Sequence, residues 1–183
     1  MSLAKAAAMR IRLIVAMGLV FISATAGLAE VRAPAASPDS TTETFGDWTL
    51  ACSTVPSTKE RACEVGITIA VRGQTAPVAR IAIGRQIKDK PMRMVALVPA
   101  NVSIAPGVAI AIDAGKVALS LPFKSCMPGG CFAETNLGKD EIQTLRLRTN
   151  PGQILFSDPS GKPVALDLPF KGLDQALDAL AKR

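Results

Sequence analysis

Apolar and polar residues alternate with a period of two through most of this chain. Trp48 and Leu50 alternate with polar or small neighbours into Cys52, and Val65, Ile67, Ile69 and Val71 do the same. Further runs of this kind occupy residues 78–83, 92–98 (closed by Pro99) and 108–112. Val117, Leu119, Leu121 and Phe123 make one long alternating face, and residues 132–135 a short returning strand. Period two places successive side chains on opposite faces of a sheet, so each run predicts a half-buried strand. Residues 153–157 and 162–168 predict a final hairpin around Asp158-Pro-Ser-Gly161. Two stretches break the pattern. Ile142 and Leu145 predict one or two helical turns within 139–146. Leu173, Ala176, Leu177 and Leu180 recur at i, i+3, i+4 and i+7, the stripe of an amphipathic helix. Many short strands punctuated by Pro and Gly, with one terminal helix, predict a mainly β fold: a β-sandwich of antiparallel strands with a short C-terminal helix.

The beginning of the chain follows other rules. Lys5, Arg10 and Arg12 precede an uncharged, largely apolar run from 13 to 29 that ends in small residues. A basic start, an apolar centre and a small-x-small end predict a signal peptide over 1–29, cleaved after Ala29, with Ala26 as the other candidate site. The competing reading is an uncleaved anchor, since the run approaches the roughly 18 residues needed to span a bilayer. Residues 30–44 are rich in Pro, Ala, Ser and Thr and predict a disordered tail, leaving 45–183 as a single domain. The chain is therefore expected to be exported. The leader holds three of the 21 basic residues and none of the 15 acidic ones, so its removal lowers the surplus from +6 to +3. That is ordinary solubility charge, and it gives no expectation of nucleic-acid binding.

Four cysteines in an exported chain predict two disulfides, with three possible connectivities. Sequential pairing, Cys52 with Cys63 and Cys126 with Cys131, is expected because each pair brackets turn-like sequence. Zinc is disfavoured: the spacings differ from two-residue metal knuckles, and the chain contains no His. No cofactor or metal is expected. Without His or Tyr, the Ser-His-Asp and Cys-His arrangements cannot be built. The carboxylates Asp47, Glu60, Glu64, Asp113, Glu134, Asp140, Glu141, Asp158 and Asp167 read mostly as solvated surface acids. A carboxylate-based hydrolase, or a thiol-disulfide exchanger at Cys126 and Cys131, is the enzymatic alternative. Asp47 beside Trp48 reads either as a turn-and-core pair or as part of a small ligand site. Two mixed-charge segments, Lys59-Glu60-Arg61 and Lys88-Asp89-Lys90, are the natural partner-contact loops.

Three motifs carry a resemblance to a known family. Phe45-Gly46-Asp47-Trp48-Thr49 is followed by Cys52. Pro122-Phe123-Lys124 leads into Cys126, Gly130 and Cys131. A Gly161-Lys162-Pro163-Val164 strand is followed by Leu168 and a Gly172-Leu173 junction into an Ala/Leu helix. In order, these resemble the invasion-associated locus B family of exported bacterial proteins over about residues 44 to 181. Pro169-Phe170-Lys171 ahead of Gly172, and Leu173 where an aromatic is common, depart from the family pattern. The resemblance implies a periplasmic or outer-membrane-associated β protein, linked in some pathogens to host-cell invasion, with no catalytic residues to carry over. The expected partner is an envelope or host-surface protein, and the oligomeric state is left open.

Overall fold

The computed structural model describes residues 40–74, 76–85, 90–113 and 116–183. The expected leader and residues 30–39 of the expected tail lie outside the described residues. Among these residues, eleven strands form two antiparallel sheets. The larger contains β1 (Ser40–Phe45), β2 (Trp48–Thr54), β3 (Arg61–Ile69), β4 (Ala79–Gly84), β5 (Met92–Val98), β8 (Phe123–Met127) and β9 (Gly130–Leu137), in the order β1-β2-β3-β4-β5-β9-β8. The smaller contains β6 (Val108–Asp113), β7 (Lys116–Leu121), β10 (Gly152–Ser157) and β11 (Pro163–Leu168), in the order β11-β10-β6-β7. Two helices, α1 (Lys139–Arg146) and α2 (Leu173–Ala181), complete the domain. No helix among the described residues is long and apolar enough to cross a membrane.

The alternating faces land as their period dictates. Trp48, Leu50 and Cys52 of β2 point into the core, with Val65 and Ile67 of β3, Ile81 and Ile83 of β4, and Met94 and Ala96 of β5. The smaller sheet adds Ile110, Leu121, Ile154 and Leu168, and α2 adds its Leu173, Ala176, Leu177 and Leu180 stripe. That stripe lies on the helix that packs against β1, β2 and β3. The core is apolar: no polar or charged side chain is buried among the described residues.

Two expectations are corrected. Ser40 to Thr44, assigned to the disordered tail, form most of β1, paired from Ser40↔Ser53 to Phe45↔Trp48. Their side chains are exposed and carry no apolar alternation, so backbone pairing with β2 and the strand preference of threonine hold them in place. The long face through 117–123 is two strands in different sheets. Pro122 has no N–H to continue a ladder, and the chain turns there from the smaller sheet to the larger.

The turn before β2 and the segment leading into α2 are joined by one side-chain and one backbone hydrogen bond. The Trp48 indole N–H donates to Pro169 O at 3.0 Å, and the Asp47 N–H donates to Lys171 O at 3.0 Å. The Asp47 side chain is exposed, so its part in the lock is played by its backbone. Beside this junction, Arg146 of α1 bonds Asp174 and Asp178 of α2, the latter at 2.8 Å. Desolvation pulls the Arg146 pKa down, but the bonds to the two aspartates outweigh it and leave it raised.

Asp158 organises the β10–β11 turn. Its Oδ1 accepts from the Ser160 hydroxyl at 2.6 Å and from the Ser160 and Lys162 N–H groups, each at 2.9 Å. The Ser160 hydroxyl above all, then the Lys162 amide, holds the carboxyl below its ordinary pKa. A depressed folded-state pKa contributes stability that is present above the unfolded value and lost as pH falls through the folded one. Thermal unfolding followed from neutral pH into acid should therefore decline less steeply in Asp158→Asn than in the parent chain.

Candidate binding groove

The inner face of the larger sheet is covered by the smaller sheet and α2. Across its outer face, from β1 to β9, runs a groove enclosing about 510 Å³. The lining crosses six neighbouring strands, so at about 4.8 Å per strand step the groove is about 24 Å long.

Its shape follows from which residues occupy the outward positions. Ala51 of β2, Ala62 of β3, and Ala82 and Gly84 of β4 have at most a methyl group and form the floor. Arg80, Arg93, Val95 and Phe132 stand higher around it, and Ser40, Thr42 and Ser53 supply hydroxyls at the β1 end. The tall charged residues are braced across strands. Arg80 pairs with Glu64 at 2.6 Å, and Arg93 with Glu134 at 3.0 Å. Gly66 leaves room for the first pairing: a Cβ there would lie 3.0 Å from Arg80 Nη2, and the guanidinium would have to give by a few tenths of an ångström. The guanidinium therefore lies across the space that a side chain at 66 would fill. Arg85, at the end of β4, is exposed and has no carboxylate partner among the described residues.

The β2–β3 tip and the described end of β4, at Gly84 and Arg85, lie at the same end of this sheet. Glu64 pairs with both Ala51 and Gly84, which sets the hairpin and this end of β4 side by side. In the tip, Lys59 has φ 60°, and its N–H donates to Val55 O at 2.8 Å, making a tight turn that exposes Lys59 and Glu60. Arg61 is not free at this tip; it begins β3 and its Nη2 donates to Thr41 Oγ1 at 2.7 Å, tying β3 to the edge strand. Lys90 is exposed, and Lys88 and Asp89 lie outside the described residues.

A disulfide clamps each end of the larger sheet. Cys52–Cys63 joins directly opposed residues of β2 and β3 beside the groove, and Cys126–Cys131 joins opposed residues of β8 and β9 at the far end. Cys126 is exposed and Cys131 buried. Closing so short a loop stabilises by about 2 kcal/mol in the chain-entropy account. The double variant Cys126→Ala with Cys131→Ala should fold, with its urea midpoint lowered accordingly.

The carboxylates considered for catalysis do not converge. Glu64, Glu134 and Asp113 are each paired to an arginine, the last to Arg148 at 2.7 Å, and Asp158 is committed to its turn. Among the described residues no group of three or more Cys, Asp or Glu could hold a metal ion. Sequence reasoning named Glu64 and Glu134 only as surface acids and missed Arg80, Arg85 and Arg93 as a group. Their signal is an Arg or Glu at outward positions of otherwise apolar strands, with Ala or Gly at the neighbouring outward positions.

Together these features define an antiparallel two-sheet β protein, clamped by disulfides and closed by a terminal helix locked to its first turn. Residues 48–181 match the family described as Invasion associated locus B (IalB) protein, and this chain belongs to that family. Invasion protein B homologues of Brucella abortus strain 2308 and of biovar 1 strain 9-941 are each 28% identical over 138 residues. Each match spans 75% of this chain and 78% of the relative. The crystal structure of invasion associated protein b from Bartonella henselae shares the fold, with a TM-score of 0.64 at 22% identity. That likeness covers 78% of this chain and 95% of the other. The motif-based resemblance and the β-sandwich expectation are both borne out.

Proposed function

We propose that this chain is an exported envelope protein that acts without catalysis, binding a partner through the groove and the two loops beside it. The observation that carries this reading is the groove, left open by the described residues, whose Arg80 and Arg93 are braced by ion pairs and whose hairpin wall is clamped by Cys52–Cys63. A wall held in this way loses little conformational freedom when a partner docks, which favours affinity. The basic-then-apolar leader pattern supports export. The Brucella and Bartonella relatives are named for invasion, and host contact is one setting in which such a module would work.

The test uses the full chain in its own host, with a photoreactive group at Lys59 and, as a control, at Lys162 in the β10–β11 turn. Fractionation should recover the mature chain from the envelope. Irradiation should join one partner to the Lys59 probe and none to the Lys162 probe. Retention in the cytoplasm, or equal labelling from both positions, would overturn the reading.

A further inference from the structure

The groove's chemistry points to a narrower class of ligand, and this inference rests on the binding reading above. We propose that the groove takes an extended acidic peptide segment bearing apolar side chains. Three observations converge on that class.

The first is charge. The lining contains Arg80, Arg85 and Arg93 against the single carboxylate of Glu64. Arg80 and Arg93 already serve Glu64 and Glu134, but a guanidinium carries five N–H donors and one carboxylate does not exhaust them. Arg85 is uncommitted among the described residues. An anion is the complement of this lining, and carboxylates match the planar guanidinium fork.

The second is shape. The groove crosses six neighbouring strands over about 24 Å, a long, narrow form that suits an extended chain. That length accommodates about seven residues of extended peptide. The groove lies transverse to the strands, so the ligand is held by side chains and does not add a strand to the sheet.

The third is the gradient along the groove. Hydroxyls of Thr42 and Ser53 at one end can meet peptide N–H and C=O groups. The arginines occupy the middle, and Val95 and Phe132 offer an apolar seat at the other end. An acyl chain would leave the hydroxyls and arginines unanswered and one of its flanks in water. A glycan would find a single aromatic side chain to stack on. A peptide with alternating carboxylate and apolar side chains answers all three parts.

The experiment is fluorescence polarisation of the mature, oxidised protein with a fluorescein-labelled heptapeptide of alternating glutamate and leucine. Saturable binding is expected, weakening with added salt. The same peptide with lysine for glutamate should not bind. Arg85→Glu should weaken binding by about tenfold or more. Ala51→Phe, which fills the floor and leaves the charge unchanged, should abolish it. Both variants are read beside their thermal unfolding, so that lost binding is not mistaken for lost fold. The proposal is overturned by absence of saturation at millimolar peptide, by equal binding of the lysine version, or by binding that neither substitution changes. It is also overturned if anionic lipid vesicles or polygalacturonate bind in preference to the peptide. If the peptide fails while the Lys59 probe still captures one partner, this inference falls and the binding-module reading stands.

Discussion

Replacing Gly172 with alanine is expected to lower stability by about 3 kcal/mol or more, one of the largest effects available to a single methyl group. Gly172 has φ 90°, where an L residue is strained, and a Cβ there would lie 1.9 Å from Phe45 O and 2.9 Å from Gly46 N. Those atoms are backbone and cannot swing aside as a side chain would. Gly46 makes the reciprocal approach: its φ is 58°, and a Cβ there would meet Lys171 O at 2.5 Å. To admit the alanine, the first turn and the entry to α2 must separate, which breaks the Asp47 to Lys171 and Trp48 to Pro169 bonds. Gly161→Ala is the control. Its φ is 85°, but nothing lies within 4 Å of the added Cβ, so only backbone strain of about 1 to 2 kcal/mol applies. Thermal unfolding of the two variants separates strain from contact. Equal losses would mean that the approach of the two segments is not what holds Gly172.

Trp48→Ala should lower stability by about 3 to 5 kcal/mol, the range for emptying a buried aromatic site. Trp48 is 0% exposed and sits in the core beneath α2, on the strand that α2 covers. Trp48→Phe keeps much of the apolar volume but removes the N–H that serves Pro169 O. It should lower stability by about 1 to 3 kcal/mol. Urea denaturation measures both. Trp48 is the only tryptophan, so its fluorescence in the parent chain reports this junction without interference from another indole. Its emission should be that of a buried indole and shift red in a single step with the loss of β structure. A red shift ahead of that loss would show the lock opening independently of the sheets.

The central strands were legible because their inward positions carry Val, Ile, Leu or Met and their outward positions do not. β3, β4 and β5 are examples, although β3 starts four residues earlier than its apolar run, at Arg61. The α2 stripe was equally plain, since all four of its predicted inward residues are buried. β1 was illegible because Ser40 to Thr44 bury nothing, and pattern reading detects burial rather than backbone pairing. The break at Pro122 was hidden by an alternation that runs through it in phase while the strands on either side belong to different sheets.

The groove was obscured for a related reason. Ala51, Ala82 and Gly84 look like weak core residues in a sequence, and only the sheet reveals that they face outward together. Arg80 and Glu64 are 16 positions apart in the chain, and their pairing depends on the β3–β4 register. The lock between Asp47 and Lys171 spans nearly the whole domain, so its two motifs were visible separately while their contact was not.

The disulfides bear on the order in which the molecule can be assembled. Each joins cysteines that are consecutive along the chain, 11 and 5 positions apart. A polypeptide emerging N-terminus first presents Cys63 while Cys52 is its only available companion, and later presents Cys126 and Cys131 close together. An oxidant that links thiols as they appear would therefore produce the native connectivity directly, with no mismatched intermediate for an isomerase to rearrange. The junction at Gly172 behaves in the opposite way, since its two halves lie near the two extremes of the domain. With such an oxidant the crosslinks would come early and closure last, so a chain stalled just short of Gly172 would carry both covalent bonds in a domain that cannot yet shut.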